Sequence, residues 1–391
     1  MGGPWMRPGR LSIAYVHYGG QSGVTAAISR ALLERGHDVR LVPATGVLQL
    51  RDPATRRPRP TATAALGVAI AAARFGRRAL AHRWNTGYAF DAHSAAAGAA
   101  LRALRPAPDL VLQNGALFAP GLPPPYPYAL LCDHTRALAQ ATPGWPALGV
   151  APPLDYGGGW FARERALYRG ATSVACFSEN VARSMIRDYG VDPGRVEVVG
   201  AGANVFPEQA PRRDDGRTIV FVGKEFARKG GHVLLDAFAR VRRSVPKARL
   251  VIAGPPVPRS ASTGVAWLGF VPLEELPALL AQASVFALPT LAEPFGIAFL
   301  DAMACGVPCV ATRIEAVPEI VRDRVTGLLV PPGDPAALAE ALLCLLGDPA
   351  AARAMGARGR AWVSAGALWS HVAARLERVL ERGRAPRGRA A

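Results

Sequence analysis

One order of elements occurs twice in this chain, and it narrows the fold more than any other feature. An apolar β-type run, Leu11 to Tyr15, leads into a glycine loop, His17-Tyr-Gly-Gly-Gln-Ser-Gly23. A helical stretch from Val24 to Arg35 closes at Gly36, and a second β-type run follows at Val39 to Val42. From Thr218 the order returns: a strand over 218–222, a loop carrying Lys224, Lys229, Gly230 and Gly231, a helix near His232 to Arg243, and a strand Arg249 to Ala253. Strand, glycine loop, helix and strand make a βαβ unit, whose helix caps and hydrophobic periods are legible in both copies. Two units in 391 residues predict two doubly wound α/β halves, each opening with its own loop.

Further short β-rich runs suit parallel strands. In the first half they are Asp109 to Gln113, Tyr128 to Cys132, Ser173 to Phe177 and Val196 to Val199. In the second they are Val265 to Leu268, Val285 to Leu288, Cys309 to Thr312 and Leu328 to Val330. The polar stretch Gly200 to Arg217, with clustered charges and two prolines, reads as the connection between halves. The domains are therefore expected at 1–205 and 206–365, with 366–391 a closing helix and basic tail that packs back toward the first half. Asp334-Pro335 opens a helix with an N-cap acid and an N1 proline, and the last helix is expected over Trp369 to Glu381. The Arg/Gly/Pro/Ala segment after Arg382 reads as a solvated end.

Half the residues are hydrophobic and 19% are charged, which predicts buried cores and excludes wholesale disorder. A net charge of +17 points to an anionic partner: nucleotide, nucleic acid, polyanionic glycan or anionic lipid. The prevalence of arginine, alanine, glycine and proline would produce the same charge by compositional bias alone. Arg74, Arg77, Arg78 and Arg83 beside an alanine-rich helix are read first as a solvated basic face, with contact to anionic membrane lipid as the alternative. Five cysteines, Cys132, Cys176, Cys305, Cys309 and Cys344, form no CxxC pair and no cluster with zinc spacing. Four of them lie in apolar runs, as buried free thiols of a reducing compartment do. No secretory leader is evident before Leu11, and the weakly apolar run Thr61 to Ala73 is too short to span a bilayer, so a cytoplasmic protein is expected.

The first glycine loop offers Gly19, Gly20 and Gly23, not GxGxxG, and the strand ending at Val42 is followed by Pro43, Ala44 and Thr45 with no ribose-binding acid. A nicotinamide-cofactor protein fails at both points. The second loop is more telling. Lys224, Lys229 and Lys247 are the three lysines among 46 basic residues, and two of them share this loop. An ammonium is a compact charge on a flexible stem, suited to a phosphate approached from one side.

The segment with most chemical content is Leu288-Pro-Thr-Leu-Ala-Glu293-Pro-Phe-Gly-Ile-Ala-Phe-Leu-Asp301-Ala-Met-Ala-Cys-Gly306-Val-Pro. A strand ends at Leu288 and a helix is expected from Pro294, with that proline at or near N1 pre-setting φ for the first turn. The amides of Phe295, Gly296 and Ile297 would then be helix-terminal donors facing an anion. Glu293 and Asp301 are eight positions apart, within about 80° on a helix and about 10–12 Å along its axis. That span suits one acid on a sugar ring and the other on a ribose, with a diphosphate between. It does not suit a paired-carboxylate hydrolase, which needs two facing carboxyls.

At this point the chain resembles glycosyltransferase family 4, the retaining enzymes of GT-B fold that use nucleotide-sugar donors. The resemblance rests on Glu293-Pro-Phe-Gly with an acid eight residues on, on Ala302-Met-Ala-Cys-Gly-Val-Pro-Cys-Val-Ala, and on Glu319 in Val317-Pro-Glu-Ile-Val. It extends to Thr326-Gly-Leu-Leu-Val-Pro-Pro-Gly-Asp334 and to Phe221-Val-Gly through Lys229-Gly-Gly, and more loosely to Gly19-Gly20 and Arg35-Gly-His-Asp-Val. It implies an α/β GT-B fold, two Rossmann-like doubly wound domains facing each other across a cleft.

The family pattern implies that Glu293 contacts donor-sugar hydroxyls and that Asp301 holds the ribose, where glutamate is the usual residue. It implies that Lys229 neutralises the diphosphate together with Lys224, which stands where the family has arginine, or with Arg228. Gly20 would approach the phosphate through its amide, Val271 would make a further donor contact, and His134, after the strand Tyr128 to Cys132, would line the reaction centre. Acceptor contacts are not implied. Tyr18, Arg136, Trp160 and Asn204 are candidates whose plainer explanation is packing or capping.

The expected chemistry is electrostatic. Cations and helix amides offset charge on a leaving diphosphate without metal or cofactor, and the sugar passes to its acceptor on the same face through an oxocarbenium-like ion pair. The rivals are another enzyme on this fold, such as a sugar-nucleotide epimerase or a phosphorylase, and a basic nucleic-acid-binding protein, for which no basic-aromatic stacking pattern appears.

Overall fold

The computed structural model of the protein describes residues 9–19, 23–44, 46–50, 57–58, 61–207, 213–258 and 262–383. Six strands make the first sheet: β1 (Ser12–His17), β2 (Asp38–Pro43), β3 (Leu110–Asn114), β4 (Tyr128–Cys132), β5 (Ser173–Cys176) and β6 (Val196–Val198). Six make the second: β7 (Thr218–Val222), β8 (Arg249–Ala253), β9 (Val265–Gly269), β10 (Val285–Leu288), β11 (Cys309–Thr312) and β12 (Gly327–Val330). Each lies within a residue or two of its expected position. Pairing is parallel throughout, in the orders β2-β1-β3-β4-β5-β6 and β12-β11-β10-β7-β8-β9.

Strands buried on both faces read as unbroken apolar runs, and the alternation inside each run decides which layer a side chain enters. Ile13 and Tyr15 of β1 join the helix Val24–Glu34 through Ile28 and Leu32. Ala14 and Val16 point the other way, into a cluster with Phe90, Trp160 and Tyr168. The first of these clusters continues through Val199, Ala201, Ala203 and Val205 into the second sheet.

The closing helix, Trp369–Gly383, lies against the first sheet although it follows the second in sequence. Val372, Leu376 and Leu380 enter the shared core, and buried Glu377 accepts from Arg35 Nε at 2.9 Å and sits 2.7 Å from His37 Nε2. A buried carboxylate with two cationic or polar partners ties the return helix to the first domain. Cys132, Cys176, Cys305 and Cys309 are buried free thiols, and Cys344 is exposed. Among the described residues no single helix is long and apolar enough to cross a membrane. Of the expected solvated end after Arg382, Gly383 is buried and closes the last helix, and 384–391 lies outside the described residues.

Strand order determines where a ligand can sit. The first sheet reverses direction between β1 and β3, the second between β7 and β10, and the crevice outside such a reversal is where doubly wound sheets bind ligands. The loops leaving β7 and β10 carry Lys229 and Glu293, so the two sequence motifs meet because the topology brings them to one switch point.

Candidate active site

Two glycines make the lysine loop possible. Gly254 (φ 112°) lets the end of β8 approach the end of β7, where a Cβ would lie 2.7 Å from the carbonyl carbon of Gly223. Gly230 (φ 74°) packs directly on the Pro289 carbonyl, leaving no room for a side chain. The loop is joined to the strand-end segment by the Leu291 amide donating to Arg228 O at 2.8 Å and by Thr290 Oγ1 donating to the same carbonyl at 3.3 Å. This joining sets Lys229 Nζ in an ion pair with Glu293 Oε2, both side chains largely buried.

The other cations are placed differently. Arg228 turns its Nε to Glu225 Oε2 at 2.9 Å and one terminal nitrogen to Ala292 O at 2.7 Å, so the guanidinium braces the loop. Lys224 is exposed and lies 5.1 Å from the centroid of Phe270, which is itself 67% exposed, with half-buried Val271 next in the chain. Lys224 therefore packs beside the aromatic corner beyond β9, on the same loop as Lys229.

The helix after β10 begins later than expected. It spans Ile297–Ala304, and Gly296 is its N-cap with φ 111°. Pro294 is therefore not N1, and the Phe295 amide does not belong to the first turn. The cause lies in the other domain: Phe295 is buried edge-on against Phe177, ring centroids 5.5 Å apart, and Gly296 takes the left-handed turn that this placement requires. The Phe299 amide bonds Gly296 O at 3.0 Å, and no side chain caps the Ile297 end. An uncapped N-terminus beside Lys229 retains the positive end of the helix dipole.

Asp301 is the fifth residue of that helix. Its Oδ1 accepts the backbone amides of Asn204 at 2.6 Å and Val205 at 3.1 Å, in the connection between domains. It is buried, and burial pushes its carboxyl up to about 7 against the lowering effect of those two amides. Through Oδ1 this acid anchors the connection between the two domains.

His134 stands after β4 with Nε2 3.3 Å from Glu315 Oε1, an ion-pair separation without hydrogen-bond alignment. Glu315 was not singled out from sequence. It lies in the loop after β11, and its carboxylate also receives Thr142 Oγ1–H from the first domain and the backbone N–H of Glu293. Burial pushes the Glu315 carboxyl up, but the contacts with His134, Thr142 and the Glu293 amide outweigh it and hold it below its ordinary value. Four residues on, Glu319 accepts the amides of Glu179 at 2.7 Å and Asn180 at 2.9 Å, covering the first turn of the helix Glu179–Arg187 from across the domain gap. An acid in a polar loop carries no local mark of such contacts, since both partners are distant in sequence.

The four acceptor candidates have the plainer explanations. Tyr18 packs among Trp84, His93 and Phe118, and Trp160 among Phe90 and Tyr156. Arg136 stacks over Tyr156 at 4.0 Å, and Asn204 accepts from Trp369 Nε1 at 3.2 Å. Arg83 folds back over Trp84 at 4.2 Å and donates to Leu48 O, which removes it from the basic face; Arg77 and Arg78 stay exposed. Gly20 lies outside the described residues, between Gly19 (φ 77°) and Gly23 (φ 87°).

Two doubly wound parallel sheets with these strand orders make up the GT-B fold. Sucrose-phosphate synthase from Thermosynechococcus elongatus has the same fold, with a TM-score of 0.71 at 21% identity over 95% of this chain and 99% of that one. A description of group 1 glycosyl transferases matches residues 216–348, and one of glycosyltransferase family 4 matches residues 18–205. Alpha-maltose-1-phosphate synthase of Mycobacterium tuberculosis is 30% identical over 329 residues, 73% of this chain and 84% of the relative. A GDP-mannose-dependent alpha-(1-6)-phosphatidylinositol monomannoside mannosyltransferase of Mycolicibacterium smegmatis is 39% identical over 183 residues, 42% of this chain and 48% of the relative. The chain belongs to glycosyltransferase family 4.

Proposed function

We propose that this enzyme transfers a sugar, with retention, from a nucleoside diphosphate sugar to a hydroxyl acceptor. The observation that carries the reading is the Lys229–Glu293 pair, held at the switch point of the second sheet beside an uncapped helix end. In the unliganded site the pair keeps a buried carboxylate compensated. A bound diphosphate would draw the ammonium and the Ile297 end of the helix toward its oxygens, and Glu293 would turn to the sugar hydroxyls. Charge growing on the leaving diphosphate is then offset by groups already in place, without metal. Residues 206–365 would hold the donor and residues 1–205 the acceptor. His134, entering from the first domain, would orient the reacting groups. Lys224, Phe270 and Val271 would flank the nucleoside end.

The names of relatives mention GDP-mannose, and a solved neighbour, Anabaena HepE, was crystallised with UDP-glucose. UDP- and GDP-sugars therefore lead a thermal-shift panel that also includes ADP- and dTDP-sugars, since a ligand selective for the folded state raises the midpoint. Stabilisation by at least one of them, and release of nucleoside diphosphate that depends on added acceptor, are expected. Failure of all four to raise the midpoint would overturn the assignment.

A cytoplasmic enzyme touching an anionic membrane surface is the location we propose. Arg74, Arg77, Arg78, Leu66 and Leu80 are all exposed on the segment 62–82 of the first domain. Sedimentation with phosphatidylglycerol vesicles should fall when these arginines are changed to glutamate, and unchanged sedimentation would refute the contact.

A further inference from the structure

We propose that Glu315 is a positioning residue for the transfer step, holding His134 and the backbone of Glu293 in register across the domain gap. The inference rests on the donor and reaction-centre roles proposed above for Glu293 and His134.

Three observations converge on it. Glu315 has φ 46°, and Arg324 is the other non-glycine residue with a left-handed φ among the described residues. An L side chain disfavours that conformation, and a glycine would adopt it freely. Strain of this kind persists where surrounding contacts over-determine it, and it gathers at functional sites. The side chain is only 9% exposed, so its carboxylate depends on partners to remain charged.

Those partners come from both domains. Oε2 accepts the N–H of Glu293, in the donor half, while Oε1 accepts Thr142 Oγ1–H and faces His134 Nε2 in the other half. The full set exists only when the two halves are together. One carboxylate therefore links the acid that meets the donor sugar with the ring that meets the reacting groups. The contact with His134 steers the imidazole without an aligned hydrogen bond, so Nε2 stays able to turn toward an incoming group. Misplacing a catalytic group by an ångström costs turnover far more than binding.

The experiment compares Glu315→Ala, Glu315→Gln and Glu315→Gly with the parent enzyme, together with His134→Ala and the Glu315→Ala/His134→Ala double variant. Donor-induced thermal shift, kcat and donor KM are read for each. Turnover of Glu315→Ala is expected to fall by about 10- to 100-fold, with donor KM changed by less than about threefold. Glu315→Gln, which keeps one acceptor oxygen and so one side of the link, should recover part of the loss. Glu315→Gly suits the backbone angle and should keep its melting midpoint while still losing turnover. The double variant should be no slower than the slower single one, because both changes break the same link. Wild-type turnover in Glu315→Gly, or losses that multiply in the double variant, would overturn the proposal. A parent enzyme that transfers sugar while the Glu315 variants match it refutes this role alone; a parent inert with every donor refutes the transferase reading.

Discussion

Asp301 offers the sharpest test of how the two domains are joined. Its carboxyl is raised from 3.8 to about 7 by burial, while the Asn204 and Val205 amides bond its Oδ1. At about 1.4 kcal/mol per pH unit, that rise corresponds to roughly 4 kcal/mol between the protonated and ionised forms in the folded protein. The native state keeps this proton to higher pH than the unfolded chain does, so it binds more protons across the window from about pH 4 to about pH 7. Stability from this group is therefore full below that window and is lost as pH rises through it. Asp301→Asn keeps an oxygen for the two amides and carries no charge at any pH. Relative to the parent, the variant should be near neutral around pH 4 and more stable by roughly 4 kcal/mol above pH 7. Urea unfolding of both proteins at pH 4 and pH 8 measures the difference, and subtracting the two isolates Asp301 from every other titrating group. A gap that stays constant with pH would refute the buried, linker-bound carboxyl. Donor KM decides the remaining question: it should be unchanged in the variant, whereas a residue holding the ribose would raise it.

Three further outcomes follow from the site. Lys229→Ala should cut kcat/KM for the donor by about 10²–10³-fold and abolish nucleotide-induced thermal stabilisation, in line with the loss of one preorganised charge-stabilising donor; undiminished transfer would dissociate Lys229 from the diphosphate. Gly230→Ala places a methyl group against the Pro289 carbonyl and needs a left-handed backbone, so a loss of about 1–3 kcal/mol in unfolding free energy is expected, with a weaker response to donor. Glu319→Ala uncovers the Glu179 and Asn180 amides, a loss of about 0.5–2 kcal/mol by analogy with removing a helix cap, and a larger radius of gyration in small-angle scattering would show the domain gap loosened.

Which parts of the site were legible in sequence follows from how far apart the contacting residues lie. Lys229 and Glu293 were recognisable because each belongs to a loop leaving a strand of a doubly wound half, and the switch point that unites them is a property of strand order. Lys224 was recognisable with Lys229 by closeness in sequence, and its contact with Phe270, 46 positions on, was not. Helix content between β2 and β3 was only partly visible. The helix Gly87–Ala103, with its small and polar residues, carries a weak apolar stripe that packs through Phe90, Ala97 and Leu101.

The chain's own residue order was enough for the twelve strands, the glycine turns and the pair of α/β halves. Those features depend on alternation, loop residues and caps within a few positions of one another. The tertiary structure alone decided the start of the helix at Ile297, the contact of Asp301 with the interdomain connection and the meeting of Glu315 with His134. Each of these depends on a contact between domains: Phe295 with Phe177, Asp301 with the amides at 204–205, and a carboxylate with a ring 181 positions away. Local propensity cannot encode such contacts, because the groups become neighbours only after both sheets have folded and closed on each other.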